Sequence, residues 1–170
     1  IGVFILGVST AWIISTCEFR GKKFFSWALI LPFAIPPYIM SYAFTGLFDS
    51  YGSANDLVRF IFQLDPETVP FPSVRNITGA IIIFSFTLYP YVFLISQTSF
   101  LNQSRDIFDV SRTLGLSRFK TFFKVALPIA RPSIVAALML VGMEVLSDFG
   151  AVEHFAIPTF TSGIFRTWFG

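Results

Sequence analysis

Four residues near the end of the sequence have side chains that could do chemistry: Glu144, Asp148, Glu153 and His154. Carboxylates and imidazole are common zinc ligands. We predict no metal site, because the four do not share a helical face across Gly150 and carboxylates with one histidine are not a specific pattern. Cys17 is the one cysteine, so it cannot form an internal disulfide.

Glu144 and Asp148 are spaced i and i+4, so a helix places both carboxylates on one face. They lie in an apolar run, where an ionisable side chain is costly and indicates a transport pathway or a bonded partner. Two alternatives stay open. Both carboxylates line a translocation pathway for a cationic substrate, or Glu144 bonds to a neighbouring helix and Asp148 caps the end of its span.

The sequence offers no catalytic set, since it has one histidine and no nucleophile placed beside a base. It also lacks a phosphate-binding glycine loop that ends in Lys-Ser or Lys-Thr. We therefore predict that the chain is not an enzyme and holds no cofactor.

The composition excludes an ordinary soluble domain. Of the 170 residues, 54% are hydrophobic, 18% aromatic and 13% charged, and the mean hydropathy is +0.71. The 23 phenylalanines would leave aggregation-prone patches on a soluble surface, and a net charge of +2 is too small to indicate nucleic acid. We predict an integral membrane protein and, because residue 1 is not methionine, part of a longer chain.

Crossing ~30 Å of hydrocarbon takes roughly 20 helical residues. Apolar runs of about that length predict four spans, at residues 1–17, 24–48, 77–99 and 132–149. Prolines inside the second and third spans predict broken helices that pack against protein, since lipid cannot satisfy the freed carbonyls.

Positive charge orients these spans, because short cytoplasmic loops are enriched in Lys and Arg. Nine of the twelve basic residues fall between spans one and two or between spans three and four. Residues 105–131 are therefore predicted to form a cytoplasmic loop, and residues 49–75 an external one.

The loop at 105–131 has the sequence signals of two short helices. A small or apolar stripe predicts a short helix, formed by Ile107, Val110, Ser111 and Leu114. Gly115 then ends that helix. Ser117 is a candidate N-cap for a second helix, which Leu127-Pro128 closes, and Pro132 falls in the first turn of span four.

Such an arrangement favours a docking element for a soluble partner. The alternative is a basic amphipathic helix pair lying on the anionic inner leaflet, which explains the charges but not the short, glycine-ended helix.

Residues 109–115 (DVSRTLG) and 122–132 (FFKVALPIARP) resemble the cytoplasmic EAA loop of permease subunits of binding-protein-dependent ABC importers. Asp109 stands for the glutamate of that triplet, and Val110 and Ser111 for its two alanines. The glycine and the Leu-Pro match in spacing. The ATPase-coupling residues that the resemblance implies are Asp109, Val110, Ser111, Arg112, Leu114, Gly115, Leu127 and Pro128.

Further segments are similar to the ferric-iron branch of these permeases, in the first of its two homologous halves: residues 7–12 (GVSTAW), 31–38 (LPFAIPPY), 89–91 (YPY), 143–152 (MEVLSDFGAV) and 158–166 (PTFTSGIFR). The resemblance implies an all-α integral membrane protein, a polytopic helix bundle of the type I ABC importer kind with a cytoplasmic EAA-type coupling helix. It further implies a multi-pass protein of the bacterial inner membrane that transports ferric iron by alternating access.

The implied partners are two ATPase subunits that carry ATP and Mg²⁺, an extracytoplasmic substrate-binding protein, a second permease half and membrane lipid. Thiamine, sulfate, polyamine and phosphonate permeases share the EAA loop, so these substrates stay open. Outside the family, a membrane-embedded enzyme and a multi-span receptor or scaffold are the alternatives.

Overall fold

The computed structural model describes residues 1–65, 68–71 and 73–169, except for the side chains of Arg105, Asp106, Arg112 and Phe169. The first half contains α1 (Gly2–Thr16), α2 (Lys22–Ala28), a 3₁₀ turn (Leu31–Ala34), α3 (Pro37–Phe48) and α4 (Ser53–Phe62). The second contains α5 (Ile77–Leu101), α6 (Arg105–Thr113), α7 (Arg118–Thr121), a π turn (Phe122–Ala126), α8 (Leu127–Ser147), α9 (Gly150–His154) and α10 (Phe160–Phe169). The described ranges hold no strand, so the all-α prediction is confirmed.

In the described part of the chain, two continuous helices are long and apolar enough to cross a membrane. They are α5 and the helix that runs without a break from Arg118 to Ser147. The broken segment that starts at Lys22 and resumes at Pro37 supplies a third if it forms one span, and α1 is apolar but shorter. The four-span topology stays a prediction.

The second predicted span is broken, as its prolines indicate, whereas the break predicted for the third is wrong because α5 continues through Pro90. Pro36 has an extended backbone (φ −57°, ψ 143°), which is the conformation favoured before another proline. Pro37 then occupies the first turn of α3, where a missing N–H costs nothing. The Tyr89 hydroxyl donates to the Leu29 carbonyl oxygen at 2.7 Å, just beyond the end of α2, so a neighbouring helix satisfies the broken backbone.

The predicted corner at Leu127-Pro128 is wrong. Leu127 is helical (φ −65°, ψ −45°), and the π turn carries the helix from α7 into α8. A π turn is wider than an α turn, so it makes room for the Pro128 ring beside the carbonyl four residues earlier. Pro132 consequently lies inside α8 and not in the first turn of a helix, where the sequence had placed it.

The helices form two compact units, one of residues 1–33 and 88–143 and the other of residues 34–87 and 144–170. Small side chains dominate the first core, with Ala11, Ala126, Ala130 and Ala137 fully buried beside Val92 and Phe93. This composition lets membrane helices approach closely. In the second unit, Ala80, Ile83 and Phe155 are buried, and partly buried Met40, Phe44, Phe84 and Ile157 pack against them.

Candidate functional site at the loop of residues 105–131

Helix α6 buries one face and exposes another. Ser111 is buried, and its hydroxyl donates to the Ile107 carbonyl oxygen at 2.7 Å, so its burial leaves no polar group unpaired. Val110 is 56% exposed and Leu114 is 75% exposed. The short helix that the stripe predicts is confirmed, and its members are divided between a buried side with Ser111 and an exposed side with Val110 and Leu114.

The end of α6 is sharply defined by Gly115, whose φ of +76° lies in the left-handed region. The Leu116 N–H donates to the Ser111 carbonyl oxygen at 3.0 Å, the six-to-one hydrogen bond of a Schellman motif with glycine at its left-handed position. The structure confirms that Gly115 ends this helix.

A second helix, α7, starts at Arg118. The Ser117 hydroxyl accepts a hydrogen bond from the Lys120 backbone N–H at 3.4 Å, which confirms Ser117 as the N-cap of α7. Four residues, 114–117, separate α6 from α7, and each end of this turn is fixed by a hydrogen bond that a backbone N–H donates.

Trp12, near the end of α1, holds this loop in place. Its ring centroid lies 5.0 Å from that of Phe122 in the π turn, 5.4 Å from Phe100 in α5 and 6.0 Å from Phe108 in α6. Offset and edge-on aromatic pairs at such distances are stabilising. The sequence placed Trp12 next to a basic turn, but nothing in its spacing indicated that three helices meet on its ring.

A polar contact adds to this anchor. The Gln103 side-chain amide, just after α5, donates to the Ala126 carbonyl oxygen at 3.0 Å. The loop between α5 and α8 is therefore attached at both its aromatic cluster and its π turn.

Beside the anchor lies a groove of about 500 Å³. Its lining combines aromatic rings, hydroxyls and two opposite charges: Trp12, Ser15, Thr16, Phe100, Leu101, Gln103, Phe108, Asp109, Arg118 and Thr121. Of the residues predicted for coupling, Asp109 is on this lining and exposed. Leu127 and Pro128 are half-buried inside the continuous helix, and the Arg112 side chain lies outside the described part of the chain.

The two carboxylates of the predicted pathway have different surroundings. One Asp148 carboxylate oxygen accepts hydrogen bonds from the Ala151 and Val152 N–H groups, at 2.8 and 3.3 Å, and so caps the start of α9. Glu144 is exposed on the last turn of α8. The pathway role of both residues stays a prediction.

His154 and Glu153 point to different partners. His154 Nε2 lies 2.7 Å from the Thr45 hydroxyl oxygen, and its ring centroid is 4.0 Å from that of Tyr42. Burial, and secondarily the positive charge of Arg75, lower the pKa of His154. Glu153 instead forms an ion pair with Arg166 at 3.3 Å. Within the described residues, no three His, Cys, Asp or Glu side chains are placed to hold a metal ion.

Long apolar helices, an apolar segment broken at proline and a basic loop that presents a short capped helix are the features of a helical membrane protein. Residues 4–166 match the family described as binding-protein-dependent transport system inner membrane component. The chain belongs to this family, whose members are transport permeases and not catalytic enzymes.

Its relatives carry different substrate names. The chain is 27% identical to the putative molybdenum transport system permease protein YvgM of Bacillus subtilis (strain 168), over 91% of this chain and 65% of that protein. It is 27% identical to the Fe(3+)-transport system permease protein FbpB 2 of Haemophilus influenzae, over 99% of this chain and 29% of that protein. It is 29% identical to the probable sulfate transport system permease protein cysT of Prototheca wickerhamii, over 87% of this chain and 55% of that protein. The chain thus spans less than two thirds of each relative.

Proposed function

We propose that this chain is part of the permease of an ATP-driven importer and that α6 is the helix through which ATPase subunits move it. The observation that carries the proposal is the structure of α6. It is closed by Gly115, seated on the protein through Ser111, and exposes Val110 and Leu114. A short helix held this rigidly, with an apolar face left open, fits insertion into a groove of a soluble partner.

The exposed apolar surface continues beyond α6. Phe119 is exposed and stacks edge-on against Phe123 with their ring centroids 4.8 Å apart. Lys120 and Lys124, which follow these two residues in the sequence, are also exposed. An apolar centre with charged residues at its rim is the usual composition of a protein interface.

The connections of the loop would transmit a force applied to α6. Phe108 of α6 contacts Trp12 of α1, and Phe122 of the π turn contacts the same ring. The helix from Arg118 to Ser147 is continuous, so a displacement of the turn at Gly115 also tilts α8. This connectivity supports an alternating-access mechanism in which closure of the ATPases moves spans about a central path.

For the substrate we propose ferric iron. Support comes from the Fe(3+)-transport relative, which aligns with 99% of this chain and covers the segments at 143–152 and 158–166. Relatives named for molybdenum and sulfate supply the competing substrates. The receptor, the ATPases with their ATP and Mg²⁺, and the second permease half are proposed partners, and the bacterial inner membrane is the proposed location.

Two measurements on the full-length permease test the proposal. Co-purification with the ATPase encoded beside it should be lost when residues 109–115 are replaced by a flexible Gly-Ser linker, while insertion and yield are retained. Retained co-purification would refute α6 as the docking helix.

Vesicles that contain the complete transporter and its receptor should take up labelled Fe(III) in preference to molybdate, sulfate or thiamine. Preferential uptake of another substrate would refute ferric iron but not the docking role of α6.

A further inference from the structure

Helix α4 is amphipathic, and its apolar face points away from the protein. This face, called the α4 apolar face below, consists of Leu57, Phe60 and Ile61, which follow i, i+3, i+4 spacing and are all exposed. Phe60 is 84% exposed. On a soluble domain the apolar stripe of a surface helix would face the core. The inverted arrangement requires something apolar to cover it.

Asn55 lies on the opposite face of α4 and attaches that face to the protein. It is fully buried, and its amide nitrogen donates to the Asp49 carbonyl oxygen at 2.8 Å and to the Phe48 carbonyl oxygen at 3.3 Å. Its side-chain oxygen accepts from the Phe71 N–H at 3.0 Å. These bonds satisfy carbonyls at the end of α3, so α4 cannot rotate about its axis without exposing buried polar groups.

Arg59, one turn later on the same side, adds a second attachment. Its side chain is only 12% exposed, and its guanidinium donates to Asp56 at 2.9 Å and to the carbonyl oxygens of Ser50 and Thr68 at 2.8 Å each. The Arg59 guanidinium is therefore bonded within the protein, while Leu57, Phe60 and Ile61 on the other side of the helix stay exposed.

The turn between α3 and α4 sets where the helix lies. Four residues, 49–52, separate the two helices, and a Cβ added to Gly52 would come within 2.4 Å of the Leu47 carbonyl oxygen. So tight a connection holds α4 against the end of an apolar membrane helix. Tyr51, 91% exposed in this turn, is a residue type enriched at the boundary between lipid and water.

We propose that α4 is an interfacial helix, with the α4 apolar face inserted into the lipid leaflet at the α3 end of the bundle. The preceding helix α3 also exposes apolar residues, namely Ile39, Tyr42 and Leu47. A substrate-delivering receptor binds and dissociates in each transport cycle, so each dissociation would expose the α4 apolar face to water. Lipid, in contrast, covers this face permanently. The inference requires a membrane protein but does not depend on the substrate.

Site-directed spin labelling of the full-length permease, reconstituted with its partner subunits in nanodiscs, tests the proposal. Single cysteines at Leu57, Phe60 and Ile61 should be more accessible to oxygen than to a water-soluble nickel reagent. Cysteines at Gln63 and Asp65, exposed residues at and just beyond the end of the same helix, are matched controls and should show the reverse. Every substitution is at an exposed position, so the fold is retained.

Two outcomes would overturn the proposal. Equal access of the nickel reagent to the α4 apolar face and to the controls would place the helix in water. Protection of Leu57, Phe60 and Ile61 from both reagents would place them in a contact with another protein subunit instead of lipid.

Discussion

The Thr45 hydroxyl oxygen and His154 Nε2 lie 2.7 Å apart and join α3 to α9. Thr45 also donates to the Ser41 carbonyl oxygen at 2.9 Å. A hydroxyl has one proton, so with that proton on Ser41 the bond to the imidazole requires N–H on Nε2. His154 is therefore in the Nε2–H tautomer. When its imidazole becomes protonated, the second proton binds Nδ1.

The first prediction concerns pH. Burial and Arg75 lower the pKa of His154, so the folded protein binds fewer protons than the unfolded chain. The corresponding stability is present above the unfolded value of about 6.5 and is lost as the pH falls through the lower folded value. Thermal unfolding in nanodiscs at pH 5.5 and 7.5 should show a decrease at low pH that is smaller in His154→Gln.

Other charges near His154 supply the control. Arg75 faces it and lies 4.0 Å from Asp49, and Glu153 precedes it. Arg75→Gln removes the charge that disfavours imidazolium, so its loss of stability at low pH should be smaller than in the wild type. An unchanged pH profile in both variants would contradict the assignment.

The second prediction concerns the left-handed turn at Gly115. Alanine there meets no atom within 4 Å, so its cost is only that of a left-handed backbone, about 1 kcal/mol. We expect Gly115→Ala to loosen the α6 end and weaken ATPase co-purification without loss of insertion. Gly142→Ala is the matched control, since it also meets nothing within 4 Å but lies in helix α8, where alanine is favoured. Equal binding by the two variants would count against the prediction.

The capping signals of the loop were predictable because they are local. Gly115 and Ser117 act on backbone groups within five residues. Composition alone indicated a membrane protein, and the all-α class was implied by the resemblance to a family. The orientation of Val110 and Leu114 was not predictable, because packing on Trp12 decides which face of α6 is buried. The helical path through Pro128 was missed because a π turn has no sequence signature comparable to that of a capping box.

The third prediction tests whether the exposed residue Val110 of α6 lies in the interface with the ATPase. Val110→Asp should abolish co-purification with the ATPase, because a carboxylate would be desolvated in an apolar groove, yet it should not affect folding. Thr113→Ala, at an exposed position in the same helix, is the control and should leave binding unchanged. If both variants bind the ATPase like the wild type, Val110 is outside the interface.

The fourth prediction distinguishes Glu144 from Asp148. Asp148→Asn retains a side-chain oxygen that can cap α9, so uptake should change little, whereas Asp148→Ala should cost about 1 kcal/mol of stability. Glu144→Gln should slow uptake without affecting ATPase docking, since the pathway role predicted for Glu144 depends on its charge. Initial uptake rates in vesicles provide the measurement, and a normal rate in Glu144→Gln would remove this residue from the pathway.

The fifth prediction concerns the aromatic anchor. Trp12→Ala removes the ring on which Phe100, Phe108 and Phe122 meet, at a cost of ~3 kcal/mol for a large-to-small substitution of a packed aromatic residue. The contacts that are lost hold the loop of residues 105–131 against its supporting helices. Trypsin should therefore cleave this loop faster, and ATP hydrolysis should become uncoupled from uptake. Trp12→Phe should restore much of the coupling.

Trp27→Ala is the matched control because Trp27 is 61% exposed. If Trp12→Ala and Trp27→Ala show the same cleavage rate and the same uptake per ATP, force does not pass from the loop to α1 through this ring.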